Sequence, residues 1–201
     1  DTRSLDTIIN EVVQPVTDAV SSFIFYSVPI AGSEVPLIVY WLIFGACFFT
    51  IYLGFINVRG FGHALDVARG KYAHADAAGE ITHFQALTAA VSGTVGIGNI
   101  AGVAITVSIG GPGAIFWLIV AGLIGMTTKF VECTLGVKYR QVNADGSVSG
   151  GPMYYLREGL AGRGMPSFGK FLGVFYAISI IIGCLGIGNM FQSNQAYVQL
   201  L

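Results

Sequence analysis

The sequence predicts an all-α protein, a polytopic transmembrane helical bundle of about four spans, one of them discontinuous. Three observations carry that prediction. Of the 201 residues, 54% are hydrophobic and only 10% are charged, where soluble domains run near 25% charged. From Ile81 to Thr128 there is no Asp, Glu, Lys or Arg, a run of 48 residues, and a helix needs about 20 apolar residues to cross a bilayer. Inside that run lies Ser92-Gly-Thr-Val-Gly-Ile-Gly-Asn99, whose three glycines, interleaved with small polar residues, make poor helix.

Taken in order, residues 4 to 26 place Leu5, Ile8, Ile9, Val12, Val13 and Val16 on one face at helical spacing. Ser4 is a candidate cap, and Pro15 is expected to interrupt the helix. This reads as an interfacial amphipathic helix, not a span, within a segment 1–36 outside the membrane. Residues 37–56 form the first span, with Tyr40 and Trp41 at its start, where interface aromatics belong. A polar loop, 57–82, follows. The discontinuous span is 83–109, turned at Gly110-Gly-Pro-Gly113, and the next is 113–136. A second polar loop, 137–168, holds an Asp145-Gly146 turn and a short amphipathic helix, Met153–Leu160, opened by Pro152. The last span begins at 168 and runs uncut to 201. Gln199-Leu200-Leu201 carries neither cap nor breaker, so the chain is expected to be a fragment.

Of ten Lys and Arg, three lie in 57–82 and five in 138–170. Both loops are therefore expected on the cytoplasmic side of the cell's inner (plasma) membrane, and the discontinuous span runs from inside to outside. A net charge of −1 argues against a nucleic-acid partner. Cys47, Cys133 and Cys184 lack metal spacing and are expected to be buried apolar fillers. His63, His74 and His83 read as solvated or interfacial, and Glu34 as a solvated loop residue. No nucleophile–base or metal set converges, so an enzyme is not expected.

Two polar constellations are candidates for function. Unwinding at Ser92–Asn99 frees backbone carbonyls, which with hydroxyls suit a hard cation such as Na+. The half-helix starting near Gly98–Asn99 presents N–H groups and a partial positive charge to a carboxylate. Broken helices at the bilayer midplane are the binding device of many secondary transporters. The competing reading is that these small residues only let helices pack closely. Gly96-x-Gly98-x-x-Ala101 has the form of a dinucleotide fingerprint but lacks the strand and the downstream acid. The second constellation, Gly186 to Gln195, sets Gln192, Asn194 and Gln195 in an apolar segment, with Phe191 beside Gln192 as an apolar wall. At about 1.5 Å per residue, a vertical helix starting at Lys170 reaches the midplane near residue 181, so Gln192 sits high unless the helix tilts or starts deeper. Lys129 and Glu132, three apart, can pair on one helix face or mark an ion path.

Gln85-Ala-Leu-Thr-Ala-Ala-Val-Ser-Gly-Thr-Val-Gly-Ile-Gly-Asn-Ile-Ala-Gly-Val-Ala, Gly110-Gly-Pro-Gly-Ala, Lys129-Phe-Val-Glu-Cys-Thr-Leu-Gly-Val-Lys-Tyr-Arg, Gly150-Gly-Pro-Met-Tyr-Tyr-Leu and Gly188-Asn-Met-Phe-Gln-Ser-Asn resemble, in this order, the sodium:alanine (alanine/glycine:cation) symporter family. The resemblance implies a leucine-transporter-type fold of inverted repeats, of which 37–201 would be a partial transporter domain. It implies Na+-coupled symport of a small neutral amino acid, alanine or glycine, by alternating access, with Na+ as coupling ion and no other cofactor. It also implies Thr94 and Asn99 at one Na+ site and the Ser92 and Val95 carbonyls at another. The Gly96, Ile97 and Gly98 segment would meet the substrate carboxylate, with Phe191 and Gln192 facing the substrate. The remaining partners would be the lipid bilayer and the missing C-terminal helices that complete both sites. A proton-coupled permease of the same fold and a non-transporting membrane interaction protein are the rival readings.

Overall fold

A computed structural model describes residues 5–30, 32–73, 81–184, 190, 192–193 and 196–197. Helix α1, Leu5–Ile24, runs through Pro15 without stopping. Sequence reasoning expected an interruption there; proline removes only one N–H and its hydrogen bond, and the remaining turns carry the helix on. Ser4 lies outside the described residues. The exposed Val12, Val16 and Phe23 leave the apolar side of α1 without protein cover. A hairpin follows, β1 Ser27–Ile30 paired antiparallel with β2 Ser33–Pro36 in the register Val28 to Val35.

The first apolar helix, α2 Leu37–Tyr52, is four residues shorter than the expected 37–56. Its end is set by backbone geometry. Gly54 and Phe55 both take left-handed φ, +60° and +56°, and the Phe55 N–H closes on the Thr50 carbonyl at 2.9 Å, satisfying an end carbonyl that would otherwise be orphaned. The expected loop 57–82 is in part helical: α3 spans Ile56–Arg59 and α4 spans Phe61–Ala68.

The discontinuous span consists of α5 His83–Thr94, a π turn Gly98–Gly102, and α6 Val103–Gly110. At Gly111, φ of +66° makes the expected turn, and α7 runs Gly113–Lys138. The Asp145-Gly146 turn joins β3 Gln141–Val142 to β4 Val148–Ser149, with Gly146 at φ +83°. Then α8, Pro152–Ala161, starts on its proline as expected, and α9 covers Pro166–Gly183. The last span was expected as one helix over 168–201; α9 starts two residues earlier, at Pro166, and 185–189 and most of 191–201 lie outside the described residues. Among the described residues, α7 and α9 are long and apolar enough to cross a membrane, and the bent pair α5 with Gly98–Gly110 is a third if its two halves form one span; α2, at 16 residues, is apolar but shorter. The chain is a helical membrane protein.

Packing among the described residues is concentrated at two places. Between α2 and α7, Thr50 and Thr127 are buried with Ala46. Their hydroxyls lie 2.8 Å apart, and each also reaches a carbonyl of its own helix, Ala46 and Ile124, at 2.7 Å. Asn57 adds an amide hydrogen bond to the Leu123 carbonyl at 2.8 Å. Such polar pairs hold helices together where lipid removes the hydrophobic driving force. Between α8 and α9, Gly169-x-x-x-Gly173 lets backbones meet: a methyl group on Gly173 would stand 2.8 Å from the Met153 carbonyl oxygen, and one on Gly169 would stand 2.9 Å from those of Leu156 and Arg157. Elsewhere the helices turn large apolar side chains outward, among them Phe44, Ile109, Trp117 and Ile181. Cys47, Cys133 and Cys184 are also exposed, contrary to the expectation that they fill buried positions; with so few interhelical contacts, most of each helix surface faces out.

Gly173→Ala and Gly169→Ala should each lower the thermal unfolding midpoint of the detergent-solubilised full-length protein, by the equivalent of about 1–3 kcal/mol for overpacking; unchanged midpoints would rule out the close approach. In the β3–β4 hairpin, the Ser147 hydroxyl and amide hold the exposed Asp145 carboxyl below its usual 3.8. A depressed folded-state value means the stabilisation is complete above the ordinary carboxylate range and is lost as pH falls through the folded value. The Ser147 amide resonance should therefore stay constant through mild acid and shift only below pH 3.8.

Candidate functional site

The candidate site is built on the interruption between α5 and α6. Thr82 fixes where α5 begins: its hydroxyl accepts from the Gln85 N–H at 3.2 Å, and the Gln85 side chain accepts from the Thr82 N–H at 2.9 Å. This reciprocal cap satisfies two orphan donors, and Thr82-x-x-Gln85 was a legible signal that sequence reasoning passed over. The other end is where glycine content acts. The Val95 N–H makes the last helical bond, to the Val91 carbonyl at 3.0 Å, and Val95 itself is extended, φ −77° and ψ 117°. The Asn99 N–H then bonds the Gly96 carbonyl at 3.0 Å, and the chain enters the wide π turn. The two half-helices meet at 63°.

The interruption is thus narrower than the expected Ser92–Asn99. Ser92, Gly93 and Thr94 remain helical, Ile97 is helical again, and only Val95 and Gly96 leave the helix, an extended residue followed by a poor helix former. The Ser92, Gly93, Thr94 and Val95 carbonyls lie beyond the last helical acceptor, Val91, and have no partner within α5. Carbonyl ends carry partial negative charge, and the following half-helix presents partial positive charge. Opposite polarities therefore face each other across two residues, Val95 and Gly96, in a stretch without formal charge.

Each predicted residue has a definite place. Ser92 and Val95 line, with Leu87, Thr88 and Val91, an open cavity of about 530 Å3 along α5. The Thr94 hydroxyl donates to the Ala90 carbonyl at 2.7 Å, leaving its oxygen lone pairs for other partners. Ile97 caps the π turn, which Gly98 and Asn99 open. Gln192 is the residue brought to the interruption from far along the chain: a methyl group on Gly96 would lie 3.4 Å from its Nε2 and 3.8 Å from its Oε1. The height argument against Gln192 assumed a vertical helix starting at Lys170; α9 starts earlier, at Pro166. Phe191, Asn194 and Gln195 lie outside the described residues. Lys129 and Glu132 form the expected pair on α7, Nζ to Oε2 3.0 Å, with both side chains exposed. His63 sets its ring against Tyr72 at a tilt, 4.9 Å between centroids and 50° between planes, and His74 lies outside the described residues. Among the described residues no three His, Cys, Asp or Glu side chains gather to hold a metal.

The sodium:alanine symporter family model matches residues 17–200. The chain is 44% identical over 159 residues to the sodium/alanine symporter AgcS of Methanococcus maripaludis, covering 79% of this chain and 34% of that protein. It is 38% identical over 158 residues to the probable sodium/glutamine symporter GlnT of Bacillus subtilis, 79% of this chain and 31% of that protein. It is 36% identical over 155 residues to the amino-acid carrier protein AlsT of the same organism, 77% and 31%. The chain thus spans about a third of the length of the curated relatives it matches. No solved structure matches it.

The contact between Gly96 and Gln192 is testable directly. With the other cysteines replaced, a short bifunctional thiol reagent should link Gly96→Cys to Gln192→Cys in the full-length protein in membranes. No linkage, with both cysteines reactive towards a monofunctional reagent, would remove Gln192 from the site.

Proposed function

Because this chain belongs to the sodium:alanine symporter family, a transporter and not an enzyme family, we propose that the whole protein is a Na+-coupled symporter of a small neutral amino acid, alanine or glycine, in the plasma membrane. The observation that carries the proposal is Gln192 over Gly96 at an interruption whose two sides have opposite polarity. A substrate carboxylate docks on the N–H groups of Gly96, Ile97 and Gly98, and Gln192 supplies a side-chain hydrogen bond, with Phe191 as the apolar wall. Na+ sits on the other side of the interruption. The Thr94 hydroxyl and Asn99 amide ligate one ion, and the Ser92 and Val95 carbonyls another, in keeping with the preference of hard cations for oxygen.

Charge balance gives the coupling. A carboxylate brought alone to bilayer depth, or a cation brought alone, carries a large desolvation cost. Together at one interruption they offset each other, so each binds best when the other is present. Alternating access then exposes the filled or empty site to one side at a time, with 57–82 and 137–168 at the cytoplasmic face. The helices that complete both sites belong to the rest of the protein.

Uptake of alanine by the full-length protein in vesicles should collapse when Na+ is replaced by choline. Undiminished uptake would sink sodium coupling and favour the proton-coupled reading. Asn99→Ala should raise the Na+ concentration needed for half-maximal uptake, and Gln192→Ala should raise KM for the amino acid by about 10-fold or more, the usual scale for losing a hydrogen bond to a charged ligand. If neither variant alters transport while both fold, the interruption serves packing alone.

A further inference from the structure

Residues 56–73 belong neither to the transport site nor to a span, yet they have a definite pattern. Val58, Phe61 and Leu65 stand at i, i+3 and i+7 along α3 and α4, and are 69%, 59% and 42% exposed. The two short helices are nearly continuous, since the Gly60 N–H bonds the Ile56 carbonyl at 2.7 Å and the Ala64 N–H bonds the Gly60 carbonyl at 2.9 Å. The stripe therefore persists across the junction. Arg69 follows on the same line at the end of α4, and Tyr72, also exposed, beyond it.

The segment carries three cations, Arg59, Arg69 and Lys71, against a single acid, Asp66. Lys71 holds Asp66 at 2.8 Å, and the Arg59 guanidinium makes only a long contact, 3.5 Å, with the Gly54 carbonyl. All three cations are exposed. Asn57 tethers the segment to α7 through the Leu123 carbonyl. The segment also follows directly from α2, whose exposed apolar surface runs through Phe48 and Tyr52 to Phe55, so its apolar stripe continues a surface that faces hydrocarbon.

We propose that α3–α4 is an interfacial anchor that binds anionic phospholipid headgroups. Val58, Phe61 and Leu65 seat among the upper acyl chains, while Arg59, Arg69 and Lys71 reach the phosphates, their stems following the apolar surface and their heads in the headgroup layer. Surface potential and charge complementarity supply the selectivity, since each cation near an anionic leaflet adds attraction that a zwitterionic one does not. The anchor precedes α5, the first half of the interrupted helix, in the chain. The proposal depends on the chain being membrane-embedded and not on which solute is carried.

The test uses the full-length protein with a fluorophore on Phe61→Cys, the other cysteines replaced, in mixed vesicles of phosphatidylcholine and phosphatidylglycerol. Acyl chains brominated on one lipid or the other report which neighbours the label. Brominated phosphatidylglycerol should quench more strongly than brominated phosphatidylcholine. That preference should fall about five-fold for each cation neutralised by Arg59→Gln, Arg69→Gln or Lys71→Gln, and should weaken with added salt. The triple variant should keep its quenching by phosphatidylcholine, which shows that it still folds into the membrane. Equal quenching by both lipids in the unsubstituted background, or a preference that survives the triple substitution, would overturn the proposal. So would no quenching by either lipid, which would mean that protein covers the stripe.

Discussion

A backbone N–H or C=O at bilayer depth must be paired within the protein or meet water or an ion, because hydrocarbon offers no partner. That constraint shapes nearly every local feature of this chain. The interruption at Val95 and Gly96 is where it is not met from within the helix, and the neighbouring features confine the breach to two residues. The reciprocal cap at Thr82 and Gln85 fixes where α5 starts. The π turn at Gly98–Gly102 resumes hydrogen bonding at once, with a wider loop. The left-handed Gly111 then lets α7 return with its own ladder intact. Orphaned carbonyls on one side and a helix N-terminus on the other are the price of the break, and the proposed ion and carboxylate would answer both.

Secondary structure was legible in the sequence wherever a local rule decides it. The uncharged run, the Gly-Gly-Pro-Gly turn, the Asp145-Gly146 turn and the Pro152 start each depend on a few adjacent residues, and each lies where those residues put it. The Lys129–Glu132 pair is equally local. Helix ends that depend on backbone geometry were not legible. Nothing in Tyr52-Leu-Gly-Phe-Ile announces that Phe55 will adopt left-handed φ, since that conformation is rare outside glycine. The α4 helix was hidden because the charges spread over 57–82 were read as loop, although Phe61–Ala68 itself carries one, Asp66.

Long-range contacts were the least legible. That Thr50 meets Thr127 follows from how α2 crosses α7, and two threonines in apolar helices give no hint of each other. The seat of Gln192 on Gly96 could be suspected from residue types, but counting residues along an assumed straight helix argued against it. The interaction holding α2 to α7 is polar for a reason. With leucine and phenylalanine as content in lipid as against a neighbouring helix, shared hydroxyls and carbonyls supply the preference for one crossing over another.

The glycine contact between α8 and α9 has a mechanical side. Gly169 and Gly173 leave no side-chain layer to shear between the two helices, and the backbones touch. A soft interface absorbs small displacements through rotamer changes, whereas one made of main-chain atoms transmits them. At Gly169 and Gly173, α8 and α9 therefore meet through main-chain atoms, and a displacement of one helix at that contact has no side chain to absorb it before it reaches the other.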